Sequence, residues 1–166
     1  MNPPVHEMDT ERQLLLAEIA EFNAAYAHCI DDDQLEQWPD YFTEVCEYRI
    51  IPRENVDLGL PAAIIFCDNR GMLIDRVVAL RKANIYPAHY NRHILGPPIL
   101  IKSDDQLVRV QCSYVLLQTR MDGQTRVFSA GKYMDAMERI DGVLRLRRRD
   151  VVFDTHRIDT LLATPI

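Results

Sequence analysis

His89 and His93 stand four residues apart in "YPAHYNRHILG", Tyr86 to Gly96, and hold two of the chain's five histidines. On one helix face that spacing would offer two imidazoles to a single metal ion. The neighbouring residues oppose a helix: Pro87 precedes the pair and Gly96-Pro97-Pro98 follows it, so the segment is expected to be extended. Four residues along a strand span about 13 Å, too far for one ion to take both rings. No glutamate stands between them to serve as a hydrolytic base. The spacing therefore predicts no metal site here. Arg92 and His93 are expected to make polar ties within the fold or to a neighbouring subunit.

Other residues offer chemistry of different kinds. Asp31, Asp32 and Asp33 lack the alternate spacing and glycine turn of a calcium loop, so a helix cap plus solvated charge is expected. Tyr26, Asp31, Trp38 and His93 come from elements able to converge on one pocket. A buried His93–Asp31 pair with Tyr26 would suit proton transfer in a dehydratase or isomerase; the competing expectation is that Tyr26 and Trp38 are core aromatics with satisfied polar ends. Cys29, Cys46, Cys67 and Cys112 are dispersed, with no CxxC pair, and read as small buried hydrophobes. The run containing Arg145, Arg147, Arg148 and Arg149 is too short for a nucleic-acid patch in a chain of net charge −6. A role opposite acidic groups of a partner suits it better, with Arg147 and Arg149 as interface candidates.

The elements that must position these residues are legible from periodicity. Residues 1–8 read as a loose arm, and 9–166 as one domain with a sizeable core. Thr10 with Gln13 fits a capping box for a first helix, whose apolar face carries Leu15, Ile19, Phe22, Tyr26 and Cys29. Asp33 is expected to cap a second, short helix with Leu35, Trp38 and Phe42 on one side. "CEYRIIP" reads as a strand, "PRENVDLGLP" as a loop, "AAIIFCD" as a short strand, and Asn69–Asn84 as a helix. The second half changes character. "DG" signals at Asp122-Gly123 and Asp141-Gly142 predict hairpins joining three long strands, about Leu107–Thr119, Thr125–Arg139 and Val143–Thr155. In "LRLRRRDVVF" the alternation slips. A bulge near Arg148–Asp150 is the favoured reading, and an Arg148–Asp150 pair inside a wet cavity is the alternative.

Helices first, then a strand-rich half with a helix inserted between, predict an α+β fold: a cone-shaped curved antiparallel sheet packed around the helices. Such a cone makes a pocket that either holds a ligand or is filled by side chains. Hydrophobic residues at 48% and charged residues at 27% are ordinary for a globular chain. No apolar run reaches the roughly 18 residues of a membrane span. The N-terminus lacks a signal-peptide pattern, so a cytoplasmic protein is expected. There is no GxGxxG, P-loop or serine elbow.

Several stretches in order, "FNAAYAHCIDDDQLEQWPDYFTEVCEYRI", "MLIDRVVALRKANIY", "YNRHILG", "GKYMDAMERIDGVLRLRRRDVVFDT" and "LLATPI", resemble the small (beta) subunit of Rieske-type aromatic-ring-hydroxylating dioxygenases. The resemblance runs from about Leu16 to the end. It implies a fold like nuclear transport factor 2 and scytalone dehydratase. It also implies a large (alpha) oxygenase subunit as partner, carrying a Rieske [2Fe–2S] cluster and a mononuclear non-haem iron, in an assembly of three alpha and three beta subunits with a beta trimer. The small subunit's part is then chiefly structural, with no cofactor and no catalytic residue of its own. In keeping with this, the CxH and CxxH boxes of a Rieske centre do not occur in the sequence. "PRENVDLGLP" and "MLIDRV" look most like small subunits of salicylate 5-hydroxylase and terephthalate dioxygenase systems, which implies a single-ring aromatic carboxylate as the complex's substrate. A free-standing dehydratase or isomerase, and a small-molecule binding module, are the alternatives on the same fold.

Overall fold

The computed structural model describes residues 10–83, 88–104, 106–155, 162 and 164–166. The expected arm, 1–8, lies outside them, as do Tyr86 and Pro87. Helix α1, Thr10–Asp31, buries Ile19, Asn23, Tyr26, Cys29 and Ile30 along one side. Asp31 is its last residue. Asp33 adopts a left-handed φ of 57° and turns the chain into a 3₁₀ helix, Leu35–Tyr41. Asp33 is not the cap that was expected: Gln34 holds that position, and the Asp33 carboxylate instead receives Arg81. Pro39 is accommodated within this short helix, where Leu35 and Trp38 are buried.

Strand β1 runs from Phe42 to Pro52, four residues earlier than the apolar alternation suggested. A single helical turn, α2 (Arg53–Asp57), occupies the expected loop, and β2 (Ile65–Cys67) follows. Helix α3, Arg70–Lys82, is capped by Asn69, whose side chain accepts from the Met72 amide. Leu73, Val77 and Leu80, at i, i+4 and i+7, form its buried face. The second half contains β3 (His89–Leu95), β4 (Ile99–Ser103), β5 (Val108–Arg120), β6 (Thr125–Ile140) and β7 (Val143–Phe153).

The sheet order is β2-β1-β7-β6-β5-β3, with β4 also paired to β5. β3 and β4 lie end to end along β5, interrupted at Gly96-Pro97-Pro98, where two residues have no amide to give a ladder. The β6–β7 turn, Asp141-Gly142, has positive φ at both positions, as a two-residue hairpin requires. One pairing departs from the antiparallel expectation: β1 runs parallel to β7. Hairpin signals reveal neighbours in sequence, whereas this pair brings together strands about a hundred residues apart.

The slipped alternation in β7 is a bulge, one residue earlier than predicted. The β6 register jumps from Ala136 opposite Arg148 to Met137 opposite Leu146, leaving Arg147 unpaired. Leu144, Leu146, Arg149, Val151 and Phe153 consequently share the buried face. Arg148 and Asp150 pair as well, but on the other face and partly exposed, with Arg49 and Glu47 alongside. Burial raises the Asp150 pKa, against the lowering effect of Arg49.

Candidate functional site

The bulge sets what lies at the centre of the cone. On β6, Tyr133, Asp135 and Met137 are buried; on β7, Arg149 stands directly opposite Asp135. Both side chains are 0% exposed. The guanidinium forms two parallel bonds, Nε to Oδ1 at 2.8 Å and Nη2 to Oδ2 at 2.7 Å, and Nη2 also donates to Asn23 Oδ1 of α1 at 2.7 Å. Its Cζ lies 4.1 Å from the ring centroids of both Tyr26 and Tyr133. Charge-assisted fork geometry and two aromatic faces are the means by which a buried cation is held without water. Burial opposes the Arg149 charge, but Asp135 and the surrounding groups outweigh it and its pKa lies above the ordinary arginine value.

Aromatic rings fill the space around this pair. Tyr114 stacks on Tyr133 with centroids 4.9 Å apart, and Trp38 meets Tyr48 edge-on at 5.1 Å. Trp38 Nε1 donates to Tyr26 Oη at 3.0 Å, and Tyr26 Oη donates to the Ile166 carbonyl at 3.2 Å. Tyr48 Oη accepts from the Ile166 amide at 3.0 Å. Burial raises the pKa of Tyr26, Tyr48 and Tyr133, and pushes Tyr114 up to about 12. Around this pair, Arg149 Nη1, Asn23 Nδ2 and Tyr133 Oη find no hydrogen-bond partner among the described residues.

A second polar unit joins the end of α1 to β3. Asp31 Oδ1 lies 2.6 Å from His93 Nδ1, and Oδ2 accepts the His93 backbone amide at 2.8 Å. Arg92 Nη1 is 4.0 Å from Asp31, with its own side chain 55% exposed. His93 and Asp31 line a small cavity of about 160 Å³ with Ala24, Ala27, His28 and Leu95. The His93 ring is buried, and its Nε2 has no hydrogen-bond partner among the described residues.

The structure thus joins Asp31 to His93 and Tyr26 to Trp38. Among the described residues no hydrogen bond or ion pair links Tyr26 to either member of the first pair. Tyr26 is committed to the interior, as the core-aromatic expectation had it. His89 and His93 lie on strand β3, the extended geometry expected of them. Of the interface candidates, Arg92 and Arg147 are exposed, and Arg147 donates to the Val45 carbonyl. His93 is buried against Asp31, and Arg149 is enclosed in the core with Asp135. Arg149 therefore corrects the sequence reading: the bulge at Arg147 reverses its face, so it presents no charge at this chain's surface. All four cysteines are buried, and burial pushes Cys29 and Cys46 to about 11.

Asp135, Asn23 and Tyr133 were missed by sequence reasoning. A signal for Asp135 existed: "YMDAM" sets it at period two between Tyr133 and Met137, an acid on an apolar face that needs a buried cation opposite.

An α+β cone with a curved open sheet and an interior filled by its own side chains is the class this architecture defines. A solved structure at 13% identity, assigned as a scytalone dehydratase of Novosphingobium aromaticivorans, shares the fold with a TM-score of 0.72 over 95% of each chain. The ring hydroxylating beta subunit family matches residues 25–160. The anthranilate 1,2-dioxygenase small subunit of Burkholderia cepacia is 45% identical over 157 residues, 95% of this chain and 98% of that one. Subunit beta 2 of the terminal oxygenase component of terephthalate 1,2-dioxygenase from Comamonas sp. is 45% identical, covering 90% of this chain and 97% of its own. A crystal structure assigned as the beta subunit of an aromatic-ring-hydroxylating dioxygenase from N. aromaticivorans is 52% identical, with a TM-score of 0.86 over 93% of this chain and 98% of that chain. The chain belongs to the beta-subunit family of the ring-hydroxylating dioxygenases. It is a component of a multisubunit oxygenase, and beta subunits of this kind pair with a large oxygenase subunit.

Proposed function

We propose that this chain is a structural, non-catalytic subunit on which the iron-containing large subunit assembles, and that the complex oxidises a single-ring aromatic carboxylate. The observation that carries the non-catalytic reading is the filled interior. The Arg149–Asp135 pair, Tyr26, Tyr133 and Trp38 occupy the centre of the cone: Arg149 is bonded to Asp135, Trp38 to Tyr26, and the Tyr26 and Tyr133 rings lie against the guanidinium. The substrate reading is supported by the anthranilate and terephthalate enzymes of the relatives, since both compounds are benzene rings bearing carboxylates. The Rieske cluster and mononuclear iron then belong to the large subunit. Self-association into a trimer within an assembly of three alpha and three beta subunits, with Arg92 and Arg147 among the contacts, completes the proposal. Residues 9–166 act in it as one domain, in the cytoplasm.

The test is reconstitution. The chain purified alone is expected to lack stoichiometric iron, to show no oxygenase turnover, and to scatter light as three chains. Turnover of a benzoate-type substrate is expected only with the large subunit and electron donors present. Stoichiometric iron in the isolated chain, or turnover without the large subunit, overturns the proposal.

A further inference from the structure

Arg149 sits in the cone as a bound cation sits in a receptor. Every group that holds its guanidinium comes from other elements: Asn23 and Tyr26 from α1, Tyr133 and Asp135 from β6. Two parallel bonds to one carboxylate, an amide oxygen and two aromatic faces match a planar, forked cation and not a point charge. All four of these residues are at most 5% exposed, so the arrangement is enclosed and already desolvated. We propose that the cone interior is a receptor for a planar guanidinium or amidinium cation, which the chain fills with its own Arg149 side chain. Arg149 Nη1, Asn23 Nδ2 and Tyr133 Oη have no hydrogen-bond partner among the described residues, so the enclosed polar groups are not all satisfied by the Arg149 side chain. The inference stands on the interior geometry alone and does not depend on the subunit role.

The test is chemical rescue in the full chain at neutral pH. Arg149→Ala is expected to lower Tm by about 6–20 °C, as loss of one member of a buried pair does in a chain of this size. Ethylguanidinium, titrated up to the highest concentration that leaves the wild-type Tm unchanged, then raises the Tm of Arg149→Ala by about 3–6 °C, the rise that ten times its Kd would produce. It leaves the wild type and Arg149→Ala/Asp135→Asn unshifted, and ethylammonium at the same concentration leaves Arg149→Ala unshifted. Equal effects of the two cations, no shift in Arg149→Ala, or the same shift in the wild type overturns the proposal. Should Arg149→Ala not fold unaided, recovery of soluble protein on refolding with each cation gives the same reading, and equal recoveries reject the receptor.

Discussion

Substituting Asp135 by asparagine keeps the shape of the side chain and removes one charge from the centre of the fold. The carboxylate holds Arg149 through bonds of 2.8 and 2.7 Å, and neither side chain reaches solvent. Removing one member leaves an uncompensated buried charge, which costs about 3–5 kcal/mol. Domains are stable by only about 5–15 kcal/mol, so this is a large fraction of the whole. Two contacts to aromatic faces, worth up to about 2 kcal/mol each when dry, keep part of the hold on Arg149 and favour the lower half of that range. Replacing both charges by neutral groups of similar size, Asp135→Asn with Arg149→Met, removes the unpaired ion and should cost far less than the sum of the two singles. Urea denaturation at fixed protein concentration measures the four corners of the cycle. A coupling energy of at least about 2 kcal/mol is expected; additivity to within about 0.5 kcal/mol would refute the claim that these charges stabilise each other in the core.

Asp31→Ala removes both bonds to His93 and should release β3 from α1. Faster amide exchange is expected across Asn91–Leu95 with little change in β6 and β7; uniform protection would count against a local tie. Gly131→Ala places a Cβ 2.0 Å from the Val152 carbonyl oxygen, so β6 and β7 must part and soluble yield should collapse, whereas an unchanged Tm would contradict this packing. Four buried tyrosines hold their protons above the ordinary phenol range. The unfolded chain sheds protons above about pH 10 while the folded chain keeps them, so stability present below that pH is lost as pH rises further. Absorbance at 295 nm should show late phenolate formation coinciding with unfolding; full ionisation in a still-folded chain would be inconsistent with the burial. The cysteine thiols should react with an aromatic disulfide reagent only after denaturation, and rapid labelling of the native chain would place at least one at the surface.

The order of elements and the long hairpins were readable because they are local. Gly142 next to Asp141 supplies the positive φ of a tight turn, and Leu73, Val77 and Leu80 advertise one helical face. The parallel β1–β7 pair left no such trace, since nothing near either strand names a partner about a hundred residues away. The candidate site turned on one residue of register. Placing the bulge at Arg148–Asp150 instead of Arg147 sends Arg149 to the wrong face and hides its match with Asp135. His93 and Asp31 were named together from their types, and the structure joins them. Tyr26 was grouped with them, yet it lies five residues before Asp31 on the same helix, a step that turns it towards a different side.

The pairing of β1 with β7 also sets when this chain can fold. Strand β1 and the helix before it are made before their neighbour β7, which follows β2 to β6 in the chain. Until β7 arrives, Phe42, Tyr48 and Ile50 lack the strand they lie beside, and α1 lacks the sheet that covers Ile19 and Tyr26. Contacts this distant in sequence raise the loop-closure cost that precedes any gain from burial, and slow folding follows. The nascent chain therefore carries an uncovered apolar face through most of its synthesis. The excess of acidic side chains, which gives the whole protein a net charge of −6, opposes association in that interval.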